Sequence, residues 1–255
     1  MICLSLQSGS NGNCVYVETE DARVLLDAGI SGLQAQWRLA AHGRDIRKVD
    51  AVILSHDHHD HVRCAGVYQR KFGLPVYVTR RTMEAAIARC PLGEVPDVRY
   101  FRAGETLRFG RLCVETIPTP HDGADPVAFV CTAGNGRLGI LTDLGHVFNG
   151  LSDVVASLDG VFLESNHDVE MLEHGPYPRF LKERIRGPGG HISNVEAADL
   201  LRSSAGPGLK WACLAHLSEQ NNNPRVALDT HRRIVRAGFP TYVASRYEPT
   251  GTFVV

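Results

Sequence analysis

Residues 55–62 read SHDHHDHV and place four histidines and two aspartates in six consecutive positions, His56 to His61. Every one of those six side chains can bind a metal ion, but one tight segment cannot aim six donors at a single centre. The run just before it, Asp50 to Leu54 (DAVIL), has the apolar, β-branched character of a strand. Strand, tight turn and then a helix from Val62 to Phe72, stopped by Gly73, is the expected local order. Residues two apart in an extended segment point the same way, so His56 and His58 can grip one ion. Asp60 and His61, at the turn into the helix, point elsewhere, towards a second ion. Asp57 and His59 are then spacers that face away. A polar turn with coincidental histidines is the bland alternative. The pattern His-x-His-x-Asp-His directly after a strand argues against it.

Two ions about 3.5–4 Å apart need further imidazoles and a carboxylate between them. Such donors are best sought at strand ends. Three positions qualify: His121 after the strand-like Leu112–Ile117, Asp143 after Leu138–Leu141, and His216 after Trp211–Ala215. A lone histidine at a strand end is more often structural. Three such residues together with the cluster favour metal binding.

The rest of the 255-residue chain gives these motifs a frame. Short apolar runs bounded by Gly, Pro or Asp read as strands at Ile2–Leu6, Cys14–Glu18, Val24–Asp27, Ala51–Leu54 and Val76–Val78. The same signature recurs at Leu112–Ile117, Val127–Cys131, Leu138–Leu141, Gly160–Leu163, Trp211–Ala215 and Thr241–Val243. Capping boxes at Ser31–Gln34 and Ser193–Glu196 open helices to about His42 and through Leu201. Asn223–Pro224 opens another, to about Ala237. Hairpin-like strands followed by strands alternating with helices, twice over, predict an α/β fold of four layers, αββα. No low-complexity linker interrupts the chain, so residues 1–255 are expected to form one domain.

Bulk properties exclude several classes. A net charge of −1 argues against a generally basic, nucleic-acid-coating protein, though a local basic groove is still open. No apolar run approaches the roughly 20 residues that span a bilayer. The N-terminus lacks a basic n-region and a long apolar h-region, so no signal peptide is expected. Seven scattered cysteines, an odd number without Cys-x-x-Cys, read as reduced core thiols in a cytoplasmic protein.

In order along the chain, Asp27 in LLDAG, the His56–His61 cluster, His121, Asp143 and His216 resemble the motifs of the metallo-β-lactamase-fold hydrolases. The resemblance runs over essentially the whole chain. It implies a metallo-β-lactamase αββα four-layer sandwich with two divalent ions, Zn or Mn, at one edge. By the family pattern His56, His58 and His121 hold one ion, Asp60, His61 and His216 the other, and Asp143 bridges. Asp27 would orient the ligand loop from behind. Leu163-Glu164-Ser, Gly190-His191-Ile-Ser193 and Ala215-His216-Leu-Ser218 look like segments of the nucleic-acid-processing branch typified by tRNase Z. SGSNGNCVYVE, ESNHDVEML, GPYP, GGHISN and HLSEQNNNP are similar to the YycJ/WalJ-type subgroup, which is linked to DNA exonuclease activity. The inserted domain of the RNase J relatives and the protruding arm of tRNase Z have no counterpart here, which weighs against those RNA substrates.

Glu164 and His191 also have a physical reading of their own. A carboxylate can hold an imidazole protonated and oriented, and the imidazolium can protonate a departing oxyanion. The helix start at Ser193 pulls the other way, because its dipole disfavours the proton. An exposed strand-end acid and a loop histidine are the competing account. Residues 8–13, SGSNGN, suit a hairpin turn and also a phosphate-binding loop, with Ser10 and Asn11 the best candidates. Arg179, Lys182, Arg184 and Arg186 form either a basic ridge for a polyanion or a solvated helix face. Tyr177, Phe180 and Tyr247 could stack on bases but suit packing as well. Among the other histidines, His167 is the candidate substrate contact and His146 could line the site. His42, His174 and His231 are expected on the surface.

These observations together predict metal-assisted hydrolysis of a phosphodiester. Water is activated between two ions, Asp60 accepts or steers its proton, and His191, backed by Glu164, protonates the leaving group. A nucleic acid is the expected partner, DNA rather than RNA, with no membrane role and no reading of oligomeric state. A small-molecule hydrolase for a thioester, lactone or cyclic phosphodiester is the alternative on the same fold. A metal-stabilised regulatory protein without turnover is a third class, and the complete ligand set argues against it.

Overall fold

A computed structural model describes residues 1–255. The strands are β1 (Ile2–Gln7), β2 (Cys14–Glu18), β3 (Arg23–Leu26), β4 (Ala51–Ile53), β5 (Val76–Thr79), β6 (Val98–Phe101) and β7 (Thr106–Phe109). They continue with β8 (Leu112–Pro118), β9 (Val127–Ala133), β10 (Gly136–Leu141), β11 (Gly160–Glu164), β12 (Trp211–Ala215), β13 (Thr241–Val243) and β14 (Phe253–Val254). The helices are α1 (Gly32–Ala41), α2 (His59–Val62), α3 (Ala65–Phe72), α4 (Arg80–Arg89) and α5 (Leu151–Ala156). After them come α6 (Val169–His174), α7 (Arg179–Arg186), α8 (Asn194–Ser204) and α9 (Pro224–Ile234).

Two seven-stranded sheets form, ordered β14-β1-β2-β3-β4-β5-β6 and β13-β12-β11-β10-β9-β8-β7. Both repeat one plan: antiparallel strands first, then a parallel run, β3 to β6 in one sheet and β10 to β13 in the other. Alternate residues of each strand serve different layers. Val24, Leu26, Ile53, Phe129, Ile140 and Phe162 fill the space between the sheets. Leu4, Leu25, Val52 and Val76 pack instead with Leu39, Tyr68 and Met83 of α1, α3 and α4. Val161, Leu163 and Ala212 pack with Val155 of α5 and with Ala197 and Leu201 of α8. Both faces of the strands are therefore buried, which is why they read as continuous apolar runs rather than alternating ones. The αββα order expected from the sequence is the order observed.

The expected caps are in place at Ser31, Ser193 and Asn223. The helix expected over Val62–Phe72 is broken. The carbonyl of His61 accepts the N–H of Ala28 at 2.7 Å, and the Cys64 N–H donates to Ala28 O at 3.0 Å. Ala28 thus takes over the hydrogen bonds that a continuing helix would use, leaving the short α2 and a fresh start at Ala65. α9 ends at Ile234 because Val235 is already extended. The sequence reading has no counterpart for β6, β7, β14 or α4 to α6, and it held the helix at α7 only as one of two readings of Arg179–Arg186. β6 and β7 carry exposed polar residues, and β5 runs into α4 with Thr79 as the cap, leaving no turn residues as punctuation. No helix is long and apolar enough to cross a membrane.

Gly29 shows how closely the first strands hold α2. A Cβ there would meet Asp60 O at 1.7 Å and Asn13 N at 2.5 Å. Gly29→Ala is expected to destabilise by about 1–3 kcal/mol through forced displacement of the α2 turn. A lower urea midpoint at unchanged m-value would show it; an unshifted midpoint would refute this packing account.

Candidate metal centre

Three strand ends share an unusual backbone. Asp27 after β3, Asp143 after β10 and His216 after β12 have φ of 67°, 57° and 55°. The left-handed region is uncommon outside glycine, and Asp and His are among the residues that tolerate it best. Each chain turns sharply there, and the side chain is left facing the gap between the sheets. Strain of this kind concentrates at functional sites.

The side chains so delivered converge. Donor atoms of His56, His58 and His121 lie within 4.8 Å of one another, as do those of Asp60, His61 and His216. His56, His61 and Asp143 form a third such group, and Asp143, Glu164, His191 and His216 a fourth. Asp143 therefore stands between the first two sets. Asp57 and His59 belong to none of these groups. Asp57 is buried, with Oδ1 accepting the Ala124 N–H at 2.6 Å. His59 is exposed at the mouth of the hollow over the cluster.

Hydrogen bonds behind the cluster set the direction of its donors. Asp27 accepts Ser55 N–H at 2.8 Å and Ser55 Oγ–H at 3.0 Å, and it lies 2.7 Å from His61 Nδ1. With the proton on Nδ1, His61 turns the lone pair of Nε2 inward. His121 Nδ1 is 2.9 Å from Gly190 O, which turns its Nε2 inward, 3.2 Å from His58 Nδ1. His56 Nε2 and Asp143 Oδ2 are buried with no hydrogen-bond partner. Such orphans are costly, and a divalent cation between them would satisfy both. Imidazoles and carboxylates in this number suit zinc or manganese chemistry.

Electrostatics divides the cluster. Burial, reinforced by the neighbouring imidazoles, pushes His56 well below the usual range, and burial beside His121 takes His58 down to about 4. Burial opposes charge on His61, yet Asp143, Asp27 and Asp60 outweigh it and hold this imidazole up to about 9. His216 is likewise buried but held well above its ordinary value by Asp143, Asp60 and Glu164. Despite burial, Asp60 and Glu164 stay well below the ordinary carboxylate range, and Asp143 is lowered too, because of the histidines around them. The carboxylates thus favour positive charge at His61 and His216, and an ion bound there would displace their protons.

Glu164 ends β11 fully buried, at 0% exposure. It is not the exposed acid of the competing account. Oε1 lies 2.6 Å from His191 Nδ1, and Oε2 accepts N–H from Leu144 at 3.1 Å and Ile192 at 3.3 Å. His191 is half-buried and borders two hollows. One, about 330 Å³, covers the histidine–aspartate cluster; the other, about 640 Å³, runs past His146, His167 and Arg186.

A family model described as the metallo-beta-lactamase superfamily matches residues 8–198. The chain belongs to that superfamily. It is 35% identical over 224 residues to exodeoxyribonuclease WalJ of Streptococcus pneumoniae, covering 87% of this chain and 83% of that protein. With exodeoxyribonuclease YycJ of Bacillus anthracis the identity is 36% over 224 residues, covering 87% and 84%. The crystal structure of the metallo-beta-lactamase fold protein YhfI from Bacillus subtilis matches with a TM-score of 0.75 at 17% identity, over 98% of each chain. That last likeness concerns fold alone. The superfamily match stops short of His216, yet the structure seats this residue among the others.

The remaining sequence candidates divide. Ser10 is exposed and lines the smaller hollow, whereas Asn11 donates from Nδ2 to Arg246 O at 3.0 Å and pins its own loop. His167 is buried beside the larger hollow, and His146 lines it too. His174 is exposed as expected and His42 half-buried. His231, expected on the surface, lies on the buried face of α9 with Nε2 3.3 Å from Ser165 Oγ. α7 turns the basic ridge into a laced helix: Arg179 pairs with Glu183, Arg186 with Glu173 and Arg184 with Asp122. Phe180 and Tyr247 are exposed aromatics, and Tyr177 is half-buried. Sequence reasoning missed Asn13. Its Nδ2 donates to Asp60 Oδ2 at 3.1 Å and lies 3.0 Å from His61 Nε2, and its N–H donates to Asp60 O at 2.8 Å. The only signal was its place in the polar SGSNGN loop.

Register within the superfamily's cluster can be tested directly. His58→Ala should lose bound metal, whereas His59→Ala should retain the full complement, both read by elemental analysis after dialysis. Loss of metal from His59→Ala would mean that the segment is in a different register.

Proposed function

We propose that this chain is a metal-dependent exodeoxyribonuclease that hydrolyses phosphodiester bonds of DNA rather than RNA. One observation carries the reading: a fully buried Glu164 holds the half-buried imidazole of His191 at the edge of the metal-ligating groups. A hydrolase that needs only a metal-activated water has no use for such a pair. A reaction with a poor alkoxide leaving group does. Similarity over 87% of the chain to two proteins named as exodeoxyribonucleases supports DNA as the substrate.

In this reading His56, His58 and His121 hold one divalent ion and Asp60, His61 and His216 a second, with Asp143 between them. Zinc or manganese would supply a water of lowered pKa and neutralise charge on the phosphate oxygens. Asp60 keeps one oxygen 3.3 Å from His216 Nε2 and is held ionised. It can accept or steer the proton of the attacking water. Glu164 takes the Nδ1 side of His191, so Nε2 is the atom that delivers a proton outward. The water oxygen bonds to phosphorus, the bond to the sugar oxygen breaks, and His191 converts that oxygen to a hydroxyl. Two backbone N–H groups fix Glu164 as a carboxylate, so it orients and stabilises the imidazolium rather than giving up a proton itself. Asp27, Ser55 and Asn13 hold the ligand loop from behind.

The test uses metal-defined protein and end-labelled single- and double-stranded DNA and RNA. Stepwise shortening of DNA is expected, with none in His58→Ala. His191→Ala should keep its metal and lose about 10²- to 10⁴-fold in rate. Cleavage by His191→Ala at the parent rate would remove the acid role. Turnover of a thioester or lactone with none on nucleic acid would replace this reading with a small-molecule hydrolase.

A further inference from the structure

The 330 Å³ hollow over the metal-ligating groups has two guanidinium groups in its wall, Arg89 from the end of α4 and Arg184 from α7. Their side chains are 57% and 51% exposed. Neither is free to wander. Arg89 pairs with Asp57, the buried residue between His56 and His58. Arg184 forms a two-point pair with Asp122, Nε to Oδ2 at 2.6 Å and Nη2 to Oδ1 at 3.1 Å. Asp122 follows His121 in the chain, and its Oδ1 lies 3.3 Å from His58 Nε2. Both arginines are therefore anchored by carboxylates that adjoin metal-ligating histidines in sequence.

An anchored guanidinium loses less entropy when it binds a ligand than a free side chain does. It also keeps donors in reserve. Arg184 gives two of its five N–H groups to Asp122, leaving three. Half exposure puts such groups within reach of a ligand in the hollow. The other basic residues of α7 do not line this hollow: Arg179 pairs with Glu183, Lys182 donates to Glu173 O, and Arg186 pairs with Glu173 and lines the adjoining 640 Å³ hollow. A polyanion entering here meets two cations built into the wall rather than a ridge of four.

We propose that Arg89 and Arg184 are specificity-determining residues that bind the non-reacting phosphates next to the scissile one. The preferred substrate is then a chain of several phosphates and not an isolated diester. This rests on the phosphodiester reading above.

The experiment compares Arg89→Gln and Arg184→Gln with the parent, each as metal-loaded protein of measured metal content. Bis(p-nitrophenyl) phosphate, with one phosphate, and an oligothymidylate serve as paired substrates. Affinity for a fluorescent oligothymidylate is measured against KCl in a His191→Ala background. Either substitution should lower kcat/KM for the oligonucleotide at least 10-fold more than for the small diester. The slope of log affinity against log salt should fall by about 0.7 per arginine. An unchanged slope would overturn the proposal. So would equal losses on the two substrates, or loss of metal, which would make the arginines mere supports for Asp57 and Asp122. If the parent turned over neither substrate, the phosphodiester reading would fail while the binding slopes still decided the role of the two arginines.

Discussion

The carboxylate of Asp27 is the interaction on which the rest of the site depends. It sits at the end of β3 in a left-handed turn, where one oxygen takes the Ser55 N–H and the other takes Ser55 Oγ–H and faces His61 Nδ1. Three levels of structure meet in that one group. It ties the end of β3 to the end of β4, fixes which nitrogen of His61 looks inward, and sets the start of the histidine segment. Ala28, the next residue, then takes the carbonyl of His61 and the N–H of Cys64, which interrupts the helix and aims Asp60 and His61. Without that carboxylate the segment would still be rich in donors, but nothing would say where each one points.

Charge supplies the second constraint. The cluster contains more acid than a closed protein interior tolerates unpaired. Protons on His61 and His216 offset part of it, while His56 and His58 stay neutral and keep lone pairs available. The arrangement is one in which cations fit better than the protons they replace. Glu164 belongs to the same network through His216 and His191, so the Glu164–His191 pair and the histidine–aspartate cluster share one electrostatic environment.

Much of this was legible in the chain, and the limits are physical. That His56, His58, Asp60, His61, His121, Asp143 and His216 come together could be anticipated because donor chemistry is visible in residue type and strand ends are visible in apolar runs. The four layers followed from the order of the elements, hairpin-like strands and then strands alternating with helices, twice over. Asn13, Asp122 and Arg89 could not be found this way. Each contacts a partner distant in sequence, Asp60, Arg184 and Asp57 respectively. Asp57 was read as a spacer, and local geometry does turn it away from the ligands; its burial against the 121–125 loop exists only once that loop has folded. α4 escaped for another reason: Thr79 both ends a strand and caps a helix, so no break separates them. His231 looked like a surface residue on an amphipathic helix, and only packing shows that it faces inward.

The two sheets contribute to the cluster from opposite sides. His56, His58, Asp60 and His61 follow β4, while His121, Asp143 and His216 follow β8, β10 and β12. An ion held by both sets would be a rivet through the seam of the sandwich. It would bind the folded chain far better than the unfolded one, so its affinity would add to folding stability by mass action. Metal content and mechanical integrity would then draw on the same resource.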